Sequence, residues 1–158
     1  MENILSLVRT SDEQSELISL TQELLENDFK KILTPQENLN QTQSKLWDEI
    51  NKYLASQNLS EDKKAVEVFL QKLLEDARNM KVVKITLALR PNEEILETLK
   101  NWSSKNLSPR TIFDVTVDPE VLGGAIISGS NGRYANLSLQ WKMASYFQKN
   151  RQAVLSLL

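Results

Sequence analysis

The residues best placed to do chemistry lie late in the chain. They are the glycine-bearing strings Gly123-Gly124 and Gly129-Ser130-Asn131-Gly132 and the serines Ser128, Ser130 and Ser138. Paired glycines can bring backbone N–H groups close to a phosphate, but these come with neither a Walker lysine nor a G-x-G-x-x-G opening a helix. Nucleotide binding is therefore not expected. A serine nucleophile needs a neighbouring base, and the chain has no histidine, so a lysine would have to serve. Without cysteine there are no disulfides or thiolates, and without histidine the usual neutral-pH acid/base group and commonest metal ligand are missing. Glu93, Glu94 and Glu97 offer hard oxygen ligands, yet they open a helical stretch, where carboxylates complement the positive end of the helix dipole. No catalytic residue, cofactor or metal is expected, and attention moves to binding.

The composition agrees with a folded chain. Of 158 residues, 41% are hydrophobic and 25% charged, with only 4 Gly and 4 Pro, which is ordinary for a globular protein and unlike a disordered one. Nineteen basic residues against twenty-one acidic ones leave a net charge of −2, too little to draw nucleic acid to the whole surface. No stretch reaches the length needed to span a bilayer, and Met-Glu-Asn-Ile-Leu-Ser-Leu-Val lacks the basic and apolar segments of a secretory leader. A cytoplasmic protein without direct membrane insertion is expected.

The elements that would position a binding surface change character near Met80. A short helix is predicted over about Glu2 to Val8. A second runs from Ser11 to Leu33, with Leu17, Leu20, Leu24, Leu25, Phe29, Ile32 and Leu33 in a helical stripe behind Asp12 and Glu13. Thr34-Pro35 offers a cap and first-turn proline for a third, carrying Leu39, Leu46, Trp47, Ile50, Tyr53 and Leu54. Ser60-Glu61-Asp62-Lys63 opens a fourth, with Val66, Phe69, Leu70, Leu73, Leu74 and Ala77 on one side. From Lys81 to Leu89 the β-branched content predicts a strand, and Pro91 to about Ser103 a helix with Ile95, Leu96, Leu99 and Trp102 inward. A second strand over 111–117 stops at Asp118-Pro119, since proline cannot donate to a ladder. Strands after Gly123 and from Arg133 to Leu137 flank the Asn131-Gly132 turn as a hairpin. A terminal helix from about Ser138 to Leu158 has Trp141, Ala144, Phe147, Val154 and Leu158 as candidates for its buried face. The fold class is α+β: an all-α helical bundle over residues 1–79, then a small α/β domain over residues 80–158 with a mixed sheet and a β-hairpin.

The punctuation of the second half, Val117-Asp118-Pro119-Glu120-Val121-Leu122-Gly123-Gly124, resembles the signature of the δ/OSCP subunit family of F-type ATP synthases. Asp118, Pro119, Gly123 and Gly124 fall on its V-D-P and G-G positions. The family's aspartate-x-serine step falls on Asn136-Leu137-Ser138, and its following basic residue on Lys142. Two positions depart, with asparagine in place of aspartate and lysine where arginine is usual, so a salt bridge between them would be lost or weakened. The helical half is also smaller than the family's usual bundle. The resemblance implies a non-catalytic stator connector, tying the catalytic head to the membrane-anchored stalk during proton-driven ATP synthesis. It implies contacts with N-terminal helices of the α subunits through the helical half and with the stalk b subunits through the other. The terminal helix carries more apolar surface than a small sheet needs, so Trp141, Tyr146, Phe147, Leu155 and Leu157 are the expected stalk contacts. A generic helical adaptor unrelated to ATP synthesis is the alternative.

Overall fold

The computed structural model describes residues 2–26, 39–59, 62–129, 132 and 134–150. Four helices come first: α1 (Glu2–Leu7), α2 (Ser11–Glu26), α3 (Gln41–Ser56) and α4 (Lys63–Arg78). Then follow β1 (Lys81–Leu87), α5 (Glu93–Asn106), β2 (Thr111–Val117), β3 (Ala125–Gly129), β4 (Tyr134–Asn136) and α6 (Leu139–Lys149). The architecture is α+β, with helices followed by a four-stranded mixed sheet and a last helix. The chain divides into two compact units, neither continuous in sequence. One comprises Met1–Lys81 and Lys100–Ile112, the other Val82–Leu99 and Phe113–Leu158.

In the first unit, α2 and α4 make the most extensive helix pair. Leu17, Leu20 and Leu24 recur at helical spacing and are fully buried, as are Val66, Leu70, Leu73 and Ala77 of α4. Gln14 Nε2 donates to the Ala77 carbonyl (2.7 Å), satisfying one of the acceptors that the end of α4 leaves over. From α3 come Leu46, Ile50 and Leu54, and Tyr53 stacks on Phe69 with ring centroids 4.8 Å apart. Ile4, Leu5 and Val8 add a buried cluster at the start of the chain.

The caps explain where these helices begin and end. Asn40 and Gln43 form a reciprocal capping box at the start of α3, and Asp62 Oδ1 accepts from Lys64 N and Ala65 N at the start of α4. The first helical residues are thus Gln41 and Lys63, later than the predicted starts. Thr34-Pro35, Ser60 and Glu61 lie outside the described residues, as do Phe29, Ile32 and Leu33. After α3, Asn58 takes a positive φ of 52° while Leu59 N–H reaches back to the Leu54 carbonyl (2.9 Å), a left-handed helix end of the kind asparagine tolerates.

One blemish sits in this packing. Trp47 Nε1 and both amide atoms of Asn51, one turn apart on α3, are enclosed without a hydrogen-bond partner. An enclosed amide without partners costs stability, so Asn51→Leu is expected to raise it by about 1 kcal/mol. A denaturation midpoint that fails to rise would show that water satisfies the amide.

The sheet order is β2-β1-β3-β4. Lys81 N–H donates to the Arg110 carbonyl beside the start of β2, and Asp118 N–H, just past its end, donates to the Leu87 carbonyl, both at 2.9 Å. Start faces start and end faces end, so β1 and β2 run parallel across α5. β3 is antiparallel to β1, with Ile85 opposite Ile127 and Leu87 opposite Ala125, and β4 is antiparallel to β3, with Ile127 opposite Ala135. This is the expected hairpin, and its described turn residue, Gly132, has a φ of 73°.

Helix α5 corrects its predicted face. Ile95 and Trp102 are each 46% exposed, while Lys100 and Ser103 are buried. The inward row is Leu96, Leu99, Lys100 and Ser103, a regular helical stripe in which two of the four members are polar. Each polar member is hydrogen-bonded, as buried polar groups require. Lys100 Nζ donates to the carbonyls of Pro109 (3.0 Å) and Thr111 (3.1 Å), and Ser103 Oγ donates to the Lys100 carbonyl (2.9 Å).

Burial lowers the pKa of Lys100 from its ordinary 10.5, with the Glu13 carboxylate acting the other way. The unfolded amine keeps its proton up to about 10.5, whereas the folded amine releases it earlier. Between those points the unfolded state binds more protons, so stability rises with pH. Urea denaturation across that window should show the wild type gaining on Lys100→Met, which cannot titrate. A constant difference between the two would contradict the assignment.

Candidate functional site

The family-signature residues converge on the base of α6. Pro119 lies two residues past the end of β2. Its neighbour Asp118 turns the chain, with Oδ1 accepting from Glu120 N–H (2.9 Å) and its carbonyl accepting from Val121 N–H (3.0 Å). Val121 is buried and anchors this turn, while Leu122 is 60% exposed. Gly123 and Gly124 follow with φ of 68° and 78°. Only glycine enters that region freely, which accounts for the residue type at both positions.

The glycines also allow a close approach. The Gly123 carbonyl accepts from Leu139 N–H (3.0 Å), the first residue of α6, and a Cβ on Gly124 would overlap the Leu137 carbonyl oxygen. Leu137 N–H in turn donates to the Ala125 carbonyl (2.8 Å). The Gly123-Gly124 string and the start of α6 are therefore held backbone to backbone.

Asn136 and Ser138 complete the base. Asn136 Oδ1 accepts from Ser138 N–H (3.0 Å), and Ser138, itself buried, caps α6 with Oγ accepting from Trp141 N–H (3.3 Å). The two-residue step is thus an Asx turn feeding an N-cap, a task asparagine performs as well as aspartate. Among the described residues Lys142 pairs with no carboxylate, and its side chain is exposed.

Helix α6 itself buries none of its residues, which corrects the expectation that Trp141, Ala144 and Phe147 form a buried face. Trp141 is 53% exposed, Tyr146 63% and Phe147 50%; Leu139 and Met143, not singled out from the sequence, are equally bare. Tyr146 and Phe147 meet edge to face with centroids 6.1 Å apart. Val154, Leu155, Leu157 and Leu158 lie outside the described residues. The signal for Leu139 and Met143 was present: with Tyr146 and Phe147 they form an i, i+4, i+7, i+8 stripe, which amphipathic helices use for contact.

Elsewhere the surface offers little for chemistry. A cleft of about 410 Å³ in the first unit is lined by Asn3, Leu5, Ser6 and residues from Ser104 to Arg110, and Arg110 is already paired with Asp76 (2.7 Å). Among the described residues, no group of three or more acidic or other metal-binding side chains comes together, and no helix is long and apolar enough to cross a membrane.

This chain, with its helical half, small mixed sheet and capped, bare α6, is matched over residues 2–148 by a family model for a subunit of a membrane-associated complex. The chain belongs to the ATP synthase delta (OSCP) subunit family. It is therefore a non-catalytic component of the F-type ATP synthase peripheral stalk and interacts with other subunits of that complex. Comparison with curated proteins finds no match.

Proposed function

We propose that the chain is the connector between the non-rotating catalytic head and the membrane-anchored stalk, resisting rotor torque during proton-driven ATP synthesis. In this reading residues 1–79 form the head-binding domain, receiving N-terminal helices of the α subunits. Residues 80–158 form the stalk-binding domain, receiving the C-terminal ends of the b subunits on the cytoplasmic side of the membrane. Helix α6 is the stalk-binding element, through Trp141, Tyr146 and Phe147, with Leu155 and Leu157 following in sequence. Asp118, Pro119, Gly123, Gly124, Asn136 and Ser138 serve it structurally.

The observation that carries the proposal is the state of α6. Eleven residues expose five large apolar side chains and bury none. A helix this short is marginal in water unless it packs against something, and exposed apolar area of this kind marks a binding surface. Two moderate interfaces on one chain suffice for a stator, because binding one partner raises the effective concentration of the other. A pull-down with the tagged full-length chain from its native cell should recover both b and α subunits. Recovery of neither would sink the proposal.

A further inference from the structure

The charge around the bare face of α6 says what kind of helix it accepts. From Val121 to Leu158 the chain carries Arg133, Lys142, Lys149 and Arg151 and not one aspartate or glutamate. Against a whole-chain charge of −2, that region of +4 leaves −6 on everything before it. Within α6 the two lysines are not scattered. Lys142 lies four residues before Tyr146 and Lys149 three residues after it, so both flank one edge of the Leu139, Met143, Tyr146, Phe147 stripe. Both are exposed, and among the described residues neither meets a carboxylate.

Resting on the stalk-binding reading, we infer that α6 docks an acidic amphipathic helix of the stalk. The partner's apolar stripe covers Leu139, Met143, Tyr146 and Phe147, and its Asp or Glu residues, about two turns apart, lie along the Lys142–Lys149 edge. Complementary charge fixes the register and speeds encounter, while the apolar stripe supplies most of the holding energy. A basic, aromatic helix also suits an anionic membrane surface. That occupant is disfavoured because the side of α6 away from the stripe carries Gln140, Trp141, Ala144 and Gln148, without the lysines and arginines a lipid-bound helix spreads there.

The test uses the full-length chain and the peripheral-stalk subunits of the same cell, titrated calorimetrically at low and high salt. Lys142→Glu with Lys149→Glu should weaken stalk binding about tenfold or more, and Lys142→Gln with Lys149→Gln should weaken it less and abolish its salt dependence. Both lysines are exposed, so unchanged circular dichroism is expected as a folding control. Two designed helical peptides sharing one apolar stripe, one flanked by glutamate and the other by lysine, form a second arm; the chain should bind only the first. Stalk binding that ignores the charge reversal overturns this inference while leaving the stalk reading standing. Absence of stalk binding by the wild type, together with preference for the glutamate peptide, overturns the stalk reading while supporting the acidic-helix chemistry of the face. Retention on phosphatidylglycerol-containing vesicles that neither stalk subunits nor glutamate peptide can displace overturns it in favour of a lipid surface.

Discussion

Gly124→Ala is expected to destabilise the fold by about 3 kcal/mol or more and to release α6 from its base. Two costs coincide at this position. The φ of 78° is one a side chain adopts only with strain. The added Cβ would also meet backbone, with the Leu137 carbonyl oxygen overlapped and Leu137 C and Ser138 Cα each at 3.2 Å. Backbone atoms cannot swing aside as a flexible side chain can. Relief requires moving the segment that holds Asn136, Leu137 and Ser138, and with it the cap on α6. Gly123→Ala makes the informative comparison: its φ of 68° is similarly strained, but its Cβ would meet only Leu139 Cβ at an ordinary 3.7 Å. Chemical denaturation should therefore rank Gly124→Ala clearly below Gly123→Ala, and equal losses would show that backbone strain alone, without the clash, decides. Stalk binding should fall with Gly124→Ala even where the variant remains folded.

The comparison of these glycines shows why some of the site was legible in the sequence. Pro119 and the glycine pair act through backbone geometry that the residue type imposes by itself, so strand end, turn and positive φ follow from the letters. The Asn131-Gly132 hairpin and the buried rows of α2 and α4 follow for the same reason, because turn chemistry and a dense apolar stripe each admit few alternatives. Helix α5 defeated the same reasoning. Its inward row includes Lys100 and Ser103, which are tolerated inside only because carbonyls of Pro109, Thr111 and Lys100 accept their hydrogen bonds. Those partners come from backbone positions that no periodicity reveals, so the expected row is right at Leu96 and Leu99 and wrong at the apolar but exposed Ile95 and Trp102.

Helix α6 illustrates a different limit. Periodicity reports that a helix has an apolar face and is silent on whether that face meets its own core or another protein. Trp141, Ala144 and Phe147 fit an inward face only if the core is internal, yet none of the helix is buried. The capped base and the free stripe together describe an element whose position is set by its own fold and whose burial is left to a partner. That division suits the proposed stator role, in which a rigid attachment at Gly123, Gly124 and Ser138 would carry load from the stalk into the sheet.

Leu70→Ala tests the opposite end of the chain and should cost about 3 kcal/mol, within the usual range for a fully enclosed leucine. Leu70 has no exposed surface and lies on α4, the helix packed most extensively against α2. Its own helix is pinned at its start by the Asp62 cap and packed along its length against α2, so the void left by three lost carbons and their hydrogens cannot close easily. Val68 on the same helix is 64% exposed, and Val68→Ala should change stability little, which separates a core effect from a helix-propensity effect. Cutting the chain after Asn79 would be a poorer test of the same half, because it severs Asp76 from Arg110 in the same compact unit. A point substitution leaves those contacts in place. If the helical half receives the head, Leu70→Ala should weaken recovery of α subunits more than of b subunits, and Gly124→Ala should do the reverse. Equal loss of both partners in both variants would mean that the two ends fold and bind as one cooperative unit, and the assignment of one partner to each end would fail.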